Sequence, residues 1–316
     1  LRVNLLFDSF GSLRTSARYF DRFRQAGVAL CEYKPLRQWL HWPLGLHQRD
    51  HRKLMIVDGR VGFIGSVNIS AVHGSSPGAA AGATLAGQPP WRDLHLRVEG
   101  PVVHRMQRLF VSHWQRHTHV PLPVARYFPP QGVVGTTRVA LAATEAGRRR
   151  NPFHSALLGA LSVAQSRVQL TTAYLVPPRR LLRQLEQAAA RGVQVDMLLP
   201  GRSDFWMPLH AGRAHYARLM DAGVRIHERH DTLLHVKACV IDGVWSSVGS
   251  SNADWRSVLH NAEANLIVLD EAFARQMEAV FQGDLARARP VDPQAWARRP
   301  AWERCKEGLA RRFEYF

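Results

Sequence analysis

Two apolar stretches, LRVNLLFDSFGS at 1–12 and VQVDMLLPGRSD at 193–204, run straight into turn residues, as a buried strand does when it meets a loop. Each is followed by a helical pattern, ARYFDRFRQAGVAL at 17–30 and AHYARLMDAGVRIH at 214–227. Both helices run into a glycine, Gly27 and Gly223, suited to the left-handed residue that ends a helix before a new strand. Upstream of the second stretch lie a helix (FHSALLGALSVAQ, 153–165), a strand (RVQLTTAYLV, 167–176) and another helix (RRLLRQLEQAAARG, 179–192). No counterpart precedes Leu1, and the chain has no initiating Met, so an N-terminal truncation of a longer protein is expected. Alternating strands and helices in both halves predict an α/β fold of two pseudo-symmetric lobes, with mixed sheets flanked by helices and the site at their interface.

The halves also repeat a motif. Residues 51–69, HRKLMIVDGRVGFIGSVNI, align without a gap on 235–253, HVKACVIDGVWSSVGSSNA, sharing H-x-K-x4-D-x6-G-S-x-N. The matched residues are His51 and His235, Lys53 and Lys237, Asp58 and Asp242, Gly65 and Gly249, Ser66 and Ser250, and Asn68 and Asn252. The expected organisation is a first lobe over 1–130 with its N-terminal part missing, a second over 131–290, and a basic amphipathic tail over 291–316. A linker from about 121 to 152 carries a possible strand, TTRVALA, and the basic run Arg148–Arg150; the Gly/Pro/Ala-rich stretch 73–90 reads as a surface loop.

Charge narrows the partners. The 316 residues hold 42 Lys and Arg against 25 Asp and Glu, a formal charge of +17, which favours a polyanionic surface, nucleic acid or an anionic leaflet. No run of about 18 uncharged apolar residues could span a bilayer. Cys31, Cys239 and Cys305 are odd in number and form no CxxC, which argues against a disulfide framework and fits a reducing, cytoplasmic setting. Cys239, on an apolar strand, is expected to be buried and inert. His41, His47 and His51 stand six and four apart without companion cysteines, so zinc is not expected. Trp42, Trp206, Trp245 and Trp255 read first as packing residues, with lipid contact the minority alternative.

On an extended chain, H-x-K puts imidazole and ammonium on one face. Two copies across an interface assemble two imidazoles and two ammoniums, a site suited to a phosphodiester. One histidine can attack phosphorus while the other protonates the leaving alkoxide. Lys53 and Lys237 would stabilise the equatorial oxygens, with Ser66, Asn68, Ser250 and Asn252 binding the substrate phosphate. The arrangement requires no metal and no cofactor. Asp58 and Asp242 belong to the catalytic motif, but their odd step from the lysines turns them from the pocket, a structural placement. Each histidine needs a carboxylate on its far nitrogen, and Asp93 and Glu263 are the candidates.

The duplicated motif resembles that of the phospholipase D superfamily. LLFDSFGS (5–12), WRDLHLRVEGPVV (91–103), AYLVPPRRLL (173–182), GVQVDMLLPGRSD (192–204), VIDGVWSSVGSSNADWRS (240–257) and the final WERCKEGLARRF look like bacterial cardiolipin synthases. Many of those carry a second glycine where this chain has Ser66. The resemblance implies metal-independent transfer of a phosphatidyl group, typically from one phosphatidylglycerol to another with release of glycerol, through a phosphohistidine on His51 with His235 as the acid. It also implies a peripheral place on the cytoplasmic side of a bacterial cell membrane, with phosphatidylglycerol and a second phospholipid as substrates. In the tail, Trp302, Cys305, Leu309, Phe313 and Phe316 recur at steps of three and four between basic residues, the pattern of an interfacial helix or of one packed on the body. A nuclease of the same superfamily is the rival reading. No stacked aromatic series suggests a base track, so nucleic acid is not the expected partner. A noncatalytic membrane scaffold is the second rival, and two complete motifs argue against it. Oligomeric state is not legible.

Overall fold

The computed structural model describes residues 1–35, 48–70, 90–147 and 150–315. In the first half, strand β1 (Asn4–Asp8), helix α1 (Ala17–Gln25) and strand β2 (Ala29–Tyr33) form a unit whose strands pair in parallel. Strands β3 (Leu54–Val57) and β4 (Val61–Gly65) form a hairpin; β5 (Trp91–Arg92) and β6 (His95–Glu99) follow, β6 antiparallel to β4. Helices α2 (Val102–Thr118) and α3 (Val124–Tyr127) complete this half.

The second half opens with β7 (Arg138–Ala143), the strand expected inside the linker, then α4 (Pro152–Val163), β8 (Arg167–Thr171), β9 (Leu175–Val176), α5 (Arg179–Ala190) and β10 (Gln194–Pro200). Next come α6 (Trp206–Arg213), α7 (Tyr216–Asp221), β11 (Arg225–Arg229), β12 (Leu233–Leu234), β13 (Ala238–Ile241), β14 (Trp245–Gly249) and β15 (Ala253–Asp254). A π-helical turn (Arg256–His260), β16 (Ala264–Leu269), α8 (Glu271–Leu285), β17 (Arg289–Pro290), α9 (Pro293–Ala297) and α10 (Ala301–Arg311) end the chain. The helix starts follow side-chain chemistry: Asn151, Asp270 and Asp292 accept the amide hydrogens of His154, Phe273 and Ala295 and so cap α4, α8 and α9.

The second half builds one mixed sheet of eight strands, ordered β17-β11-β10-β8-β13-β14-β16-β7. Leu185, Val195, Met197 and Leu199 are fully buried beneath it, each contributing about 1.5–3 kcal/mol of transfer free energy. In the first half, β1-β2 and β3-β4-β6 stand as separate sheets. A second core spans the halves: Ile64 and Met106 pack on Ala264 and Leu266. Gly62 makes room for Met106, whose sulfur would lie 2.7 Å from any Cβ placed there.

Most of the strand order read from the sequence is present, with Gly27 and Gly223 at positive φ as expected. Helix α6 and the π-helical turn are additions. The loop 73–90, apart from Pro90, lies outside the described residues, as do His41, Trp42, His47, Arg148, Arg149 and Phe316. No helix among the described residues is long and apolar enough to cross a membrane.

Candidate active site

His51 and Lys53 lie in an extended segment just before β3, and His235 and Lys237 just before β13. The sequence reading put each pair on a strand. The structure leaves them outside the ladder, where their backbone groups reach the opposite half instead. The His51 N–H donates to Ala262 O at 2.9 Å, and the His235 N–H to Arg92 O at 2.8 Å. Strand β12, immediately before His235, pairs in parallel with β5 of the first half. An isolated bridge between Asp50 and Ala262 does the same for His51.

This crossing decides which carboxylate meets which histidine. Asp93 of the first half lies 2.7 Å from His235 Nδ1. Glu263 of the second half has both oxygens 3.1 Å from His51 Nδ1. Each half therefore orients the imidazole of the other and leaves Nε2 for chemistry. Glu263 is fully buried and accepts hydrogen bonds from the hydroxyls of Ser250 and Ser257 and from the Asn261 amide. Burial alone would raise its pKa, but the charge and hydrogen bond of His51 hold the carboxyl below its ordinary value. Asp93 is steadied from the backbone: Arg92 donates Nη1 to Asp93 O at 2.8 Å and its Nε to Asp284 at 2.9 Å, while Arg229 meets Asp284 at 2.7 Å.

The two histidines differ in setting. His235 is buried, with the Trp91 ring 5.0 Å from its own. Burial, joined by the Lys237 charge, outweighs Asp93 and pushes its pKa down to about 3, so it is held neutral. The His51 side chain keeps 27% of its surface open.

Lys237 is buried and Lys53 half-buried. Lys53 Nζ donates to His51 O at 2.7 Å and Lys237 Nζ to His235 O at 2.6 Å. Burial lowers Lys53 to about 8, against the pull of Glu263 and its neighbours. It lowers Lys237 to about 7, where the Lys53 charge adds to the effect. A second ammonium close enough to depress Lys237 makes a site that gains from a bound anion.

The serines do other work than expected. The Ser66 N–H and Oγ donate to Leu94 O at 2.9 and 3.2 Å, and Ser66 Oγ accepts from the Leu94 amide at 3.0 Å. Ser250 repeats this on Ala264 and adds its hydrogen bond to Glu263. The serines thus grip the residue after each orienting carboxylate, and with no exposed surface they do not line the pocket. The preceding glycines are needed for that closeness: a Cβ on Gly65 would lie 2.2 Å from Leu94 O, and one on Gly249 2.2 Å from Asn265 Oδ1. Asn252 is buried beside Lys237 in a hollow shared with Ser251 and Ser257, its amide oxygen without a hydrogen-bond partner among the described residues. Asn68 is exposed.

The motif aspartates are turn residues. Asp58 (φ 52°) and Gly59 (φ 64°) form the centre of a β3–β4 turn closed by Arg60 N–H to Val57 O at 2.9 Å, and Asp242 (φ 51°) and Gly243 (φ 64°) repeat it before β14. Positive φ at both central residues defines the hairpin turn that Asp-Gly favours, and that dipeptide was the overlooked signal. Grouping Asp58 and Asp242 with the catalytic residues is therefore corrected. The Asp242 carboxylate accepts from the amides of Gln165, Ser166 and Arg167 at 2.8–2.9 Å, clamping the start of β8 at the end of β13 remote from His235. Cys239 is buried, and burial pushes its thiol well up.

A cleft beside His235 is lined by Trp91, Tyr174, Arg202, Asp204 and Leu233. No cluster of three or more His, Cys, Asp or Glu side chains suited to a metal occurs among the described residues.

Residues 157–285 match the family described as cardiolipin synthase, PLD-like domain. A probable cardiolipin synthase of Bacillus subtilis is 29% identical over 99% of this chain and 61% of its own length. Cardiolipin synthase A of Serratia proteamaculans is 32% identical over 98% of this chain and 63% of its own. The chain thus spans a little over three fifths of these curated relatives. Among solved structures, phosphatidylserine synthase of Haemophilus influenzae superposes with a TM-score of 0.69 at 12% identity, over 98% of this chain and 80% of that one, a likeness of fold. The interlocked motifs and these matches agree: over nearly its whole length the chain is similar to cardiolipin synthases, and residues 157–285 match their PLD-like domain.

Proposed function

We propose that this chain carries out phosphatidyl transfer, as a cardiolipin synthase. The observation that supports it is the crossed pair of histidines, each held through Nδ1 by a carboxylate and each followed by a lysine of its own motif. One Nε2 attacks phosphorus of the donor phospholipid; the bond from phosphorus to the head-group oxygen breaks, and the other imidazolium gives that oxygen its proton. The neutralised imidazole then takes the proton of an acceptor hydroxyl, whose oxygen attacks phosphorus and releases the first histidine. With two phosphatidylglycerols the products are cardiolipin and glycerol. Lys53 and Lys237 offset the charge on the equatorial oxygens, and Asn252 offers an amide beside Lys237.

The resemblance gives attack to His51 and protonation to His235. The buried, neutral His235 is held through Nδ1 in the same way, so mapping a trapped phosphohistidine by mass spectrometry decides between them. The reaction is tested by incubating the chain with phosphatidylglycerol vesicles and a chelator and following lipids and glycerol. Cardiolipin with released glycerol, lost in His51→Ala and His235→Ala, supports the proposal. Phosphatidic acid alone would make the protein a hydrolase, and cleavage of DNA without lipid turnover would favour the nuclease reading. A peripheral location on an anionic membrane is part of this proposal.

A further inference from the structure

We propose that the N-terminal end of α6 and the outer face of α10 form one surface that docks on an anionic lipid bilayer at the mouth of the His235 cleft. This deepens the phosphatidyl-transfer reading and rests on it for the choice of a lipid partner.

Phe205 and Trp206 project into solvent, with 60% and 54% of their surfaces open, at the start of a helix that a globular body would normally turn inward. Helix α10 packs against α6 through its opposite side, where Ala310 and Glu307 are buried. Its apolar stripe is left outside: Trp302 is 56% open, Leu309 53% and Phe313 47%. Of the two readings of that stripe, packing on the body is not met at Trp302, Leu309 and Phe313; the body takes the small residue and the paired acid instead.

Contacts join the two groups into one patch. The Trp206 ring lies 5.9 Å from that of His210, His210 feels the charge of Lys306, and the Lys306 ammonium sits 4.2 Å from the Trp302 ring. The patch also reaches the cleft. Phe205 has its ring 6.3 Å from Tyr174, whose hydroxyl donates to Asp204 at 2.7 Å, and Tyr174, Arg202 and Asp204 line the hollow beside His235.

Charge identifies the occupant. Within 301–315 every fully exposed charged residue is basic: Arg304, Lys306, Arg311 and Arg312. The three acids face inward, Glu307 paired with Arg299 at 2.7 Å, Glu314 with His215 at 3.3 Å, and Glu303 half-buried. With the acids turned inward, the exposed tryptophan, leucine and phenylalanine share the open surface of this segment with charges of basic sign only, which matches an interface of apolar tails beneath negative head groups. A lipid held there would have its phosphate near the cleft without leaving the bilayer.

The test is co-flotation of the whole chain with vesicles of phosphatidylcholine alone or mixed equally with phosphatidylglycerol. We expect binding to the mixed vesicles only, reduced at least tenfold in F205S/W206S/W302S and in R304E/K306E/R311E. Val163→Ser, which removes an equally exposed apolar side chain on α4, should leave binding unchanged, and circular dichroism checks that each variant folds. Wild-type levels of binding in the triple-serine variant, no binding by the wild type, or equal binding to pure phosphatidylcholine would each overturn the proposal. Turnover of a micelle-free, short-chain phosphatidylglycerol separates the two readings. Retained turnover in the serine variant with lost flotation supports the surface; normal flotation with no turnover by the wild type sinks the reaction alone.

Discussion

The two halves carry the same motif in unequal frames. In the second half β8 lies between β10 and β13, and Asp242 holds the first amides of β8. In the first half the equivalents of β10 and β13, β1 and β3, stand in separate sheets. Asp58, in the same turn with nearly the same φ, is exposed, and Met55 and Val57 of β3 are open to solvent where Cys239 and Ile241 are buried. The difference teaches that the motif does not by itself secure burial. The same residues form the same hairpin either way, and what a neighbouring strand adds is a use for the aspartate.

The largest effect tests whether the halves are nonetheless equal in chemistry. His51→Ala and His235→Ala should each lower transfer by about 10⁴-fold, measured as cardiolipin formed per enzyme. A loss confined to one of them would break the symmetry at the step of reaction itself. Next come the orienting carboxylates. Asp93→Asn and Glu263→Gln should each cost about 10²–10⁴ in turnover, because the amide no longer holds the imidazole in its working tautomer. Only Glu263→Gln should also destabilise markedly, by about 3 kcal/mol in urea unfolding, since it anchors Ser250, Ser257 and Asn261 besides His51.

The lysines set a pH limit. In the proposed mechanism their ammonium forms bind the phosphate, so transfer should fall as pH rises through about 7 to 8, the values burial gives Lys237 and Lys53. Lys237→Arg, which stays charged, should extend that alkaline limb upward, and an unchanged profile would remove Lys237 from phosphate binding. The smallest effect sharpens the structural contrast. Asp242→Ala should cost about 2 kcal/mol of stability, since three amides and a hydroxyl lose one acceptor; exposed Asp58→Ala should cost less than about 1 kcal/mol. The left-handed φ is common to both and cancels in the comparison. Burial raises the pKa of Asp242, but the hydrogen bonds from Arg167, Gln165 and Ser166 hold it below the usual value. Its contribution is therefore present above the unfolded pKa of about 3.9 and lost as pH falls through the lower folded value, and an acid titration of stability should show this for the wild type and not for Asp242→Ala.

Much of this was legible because it is local. Apolar runs marked β1, β8 and β10, the glycines marked the ends of α1 and α7, and the gap-free repeat brought His51, Lys53, His235 and Lys237 forward together. The odd step already turned Asp58 and Asp242 from the site. What stayed hidden depends on distance. Asp93 and Glu263 were visible as candidates, but their crossing joins residues 142 and 212 apart, and no periodicity encodes that. The roles given to Ser66 and Ser250 failed for a related reason: a hydroxyl beside a glycine is as available to a neighbouring strand as to a ligand, and only the approach of β6 or β16 decides. Helix α6 escaped because Pro208 and Gly212 interrupt its pattern and because its outward residues are apolar.

The exchange of carboxylates between halves makes the chemistry conditional on closure. Were the halves to part, Asp93 and Glu263 would leave together, and both imidazoles would lose orientation at once. No half-armed state then exists in which one imidazole is held by its carboxylate while the other has lost its own.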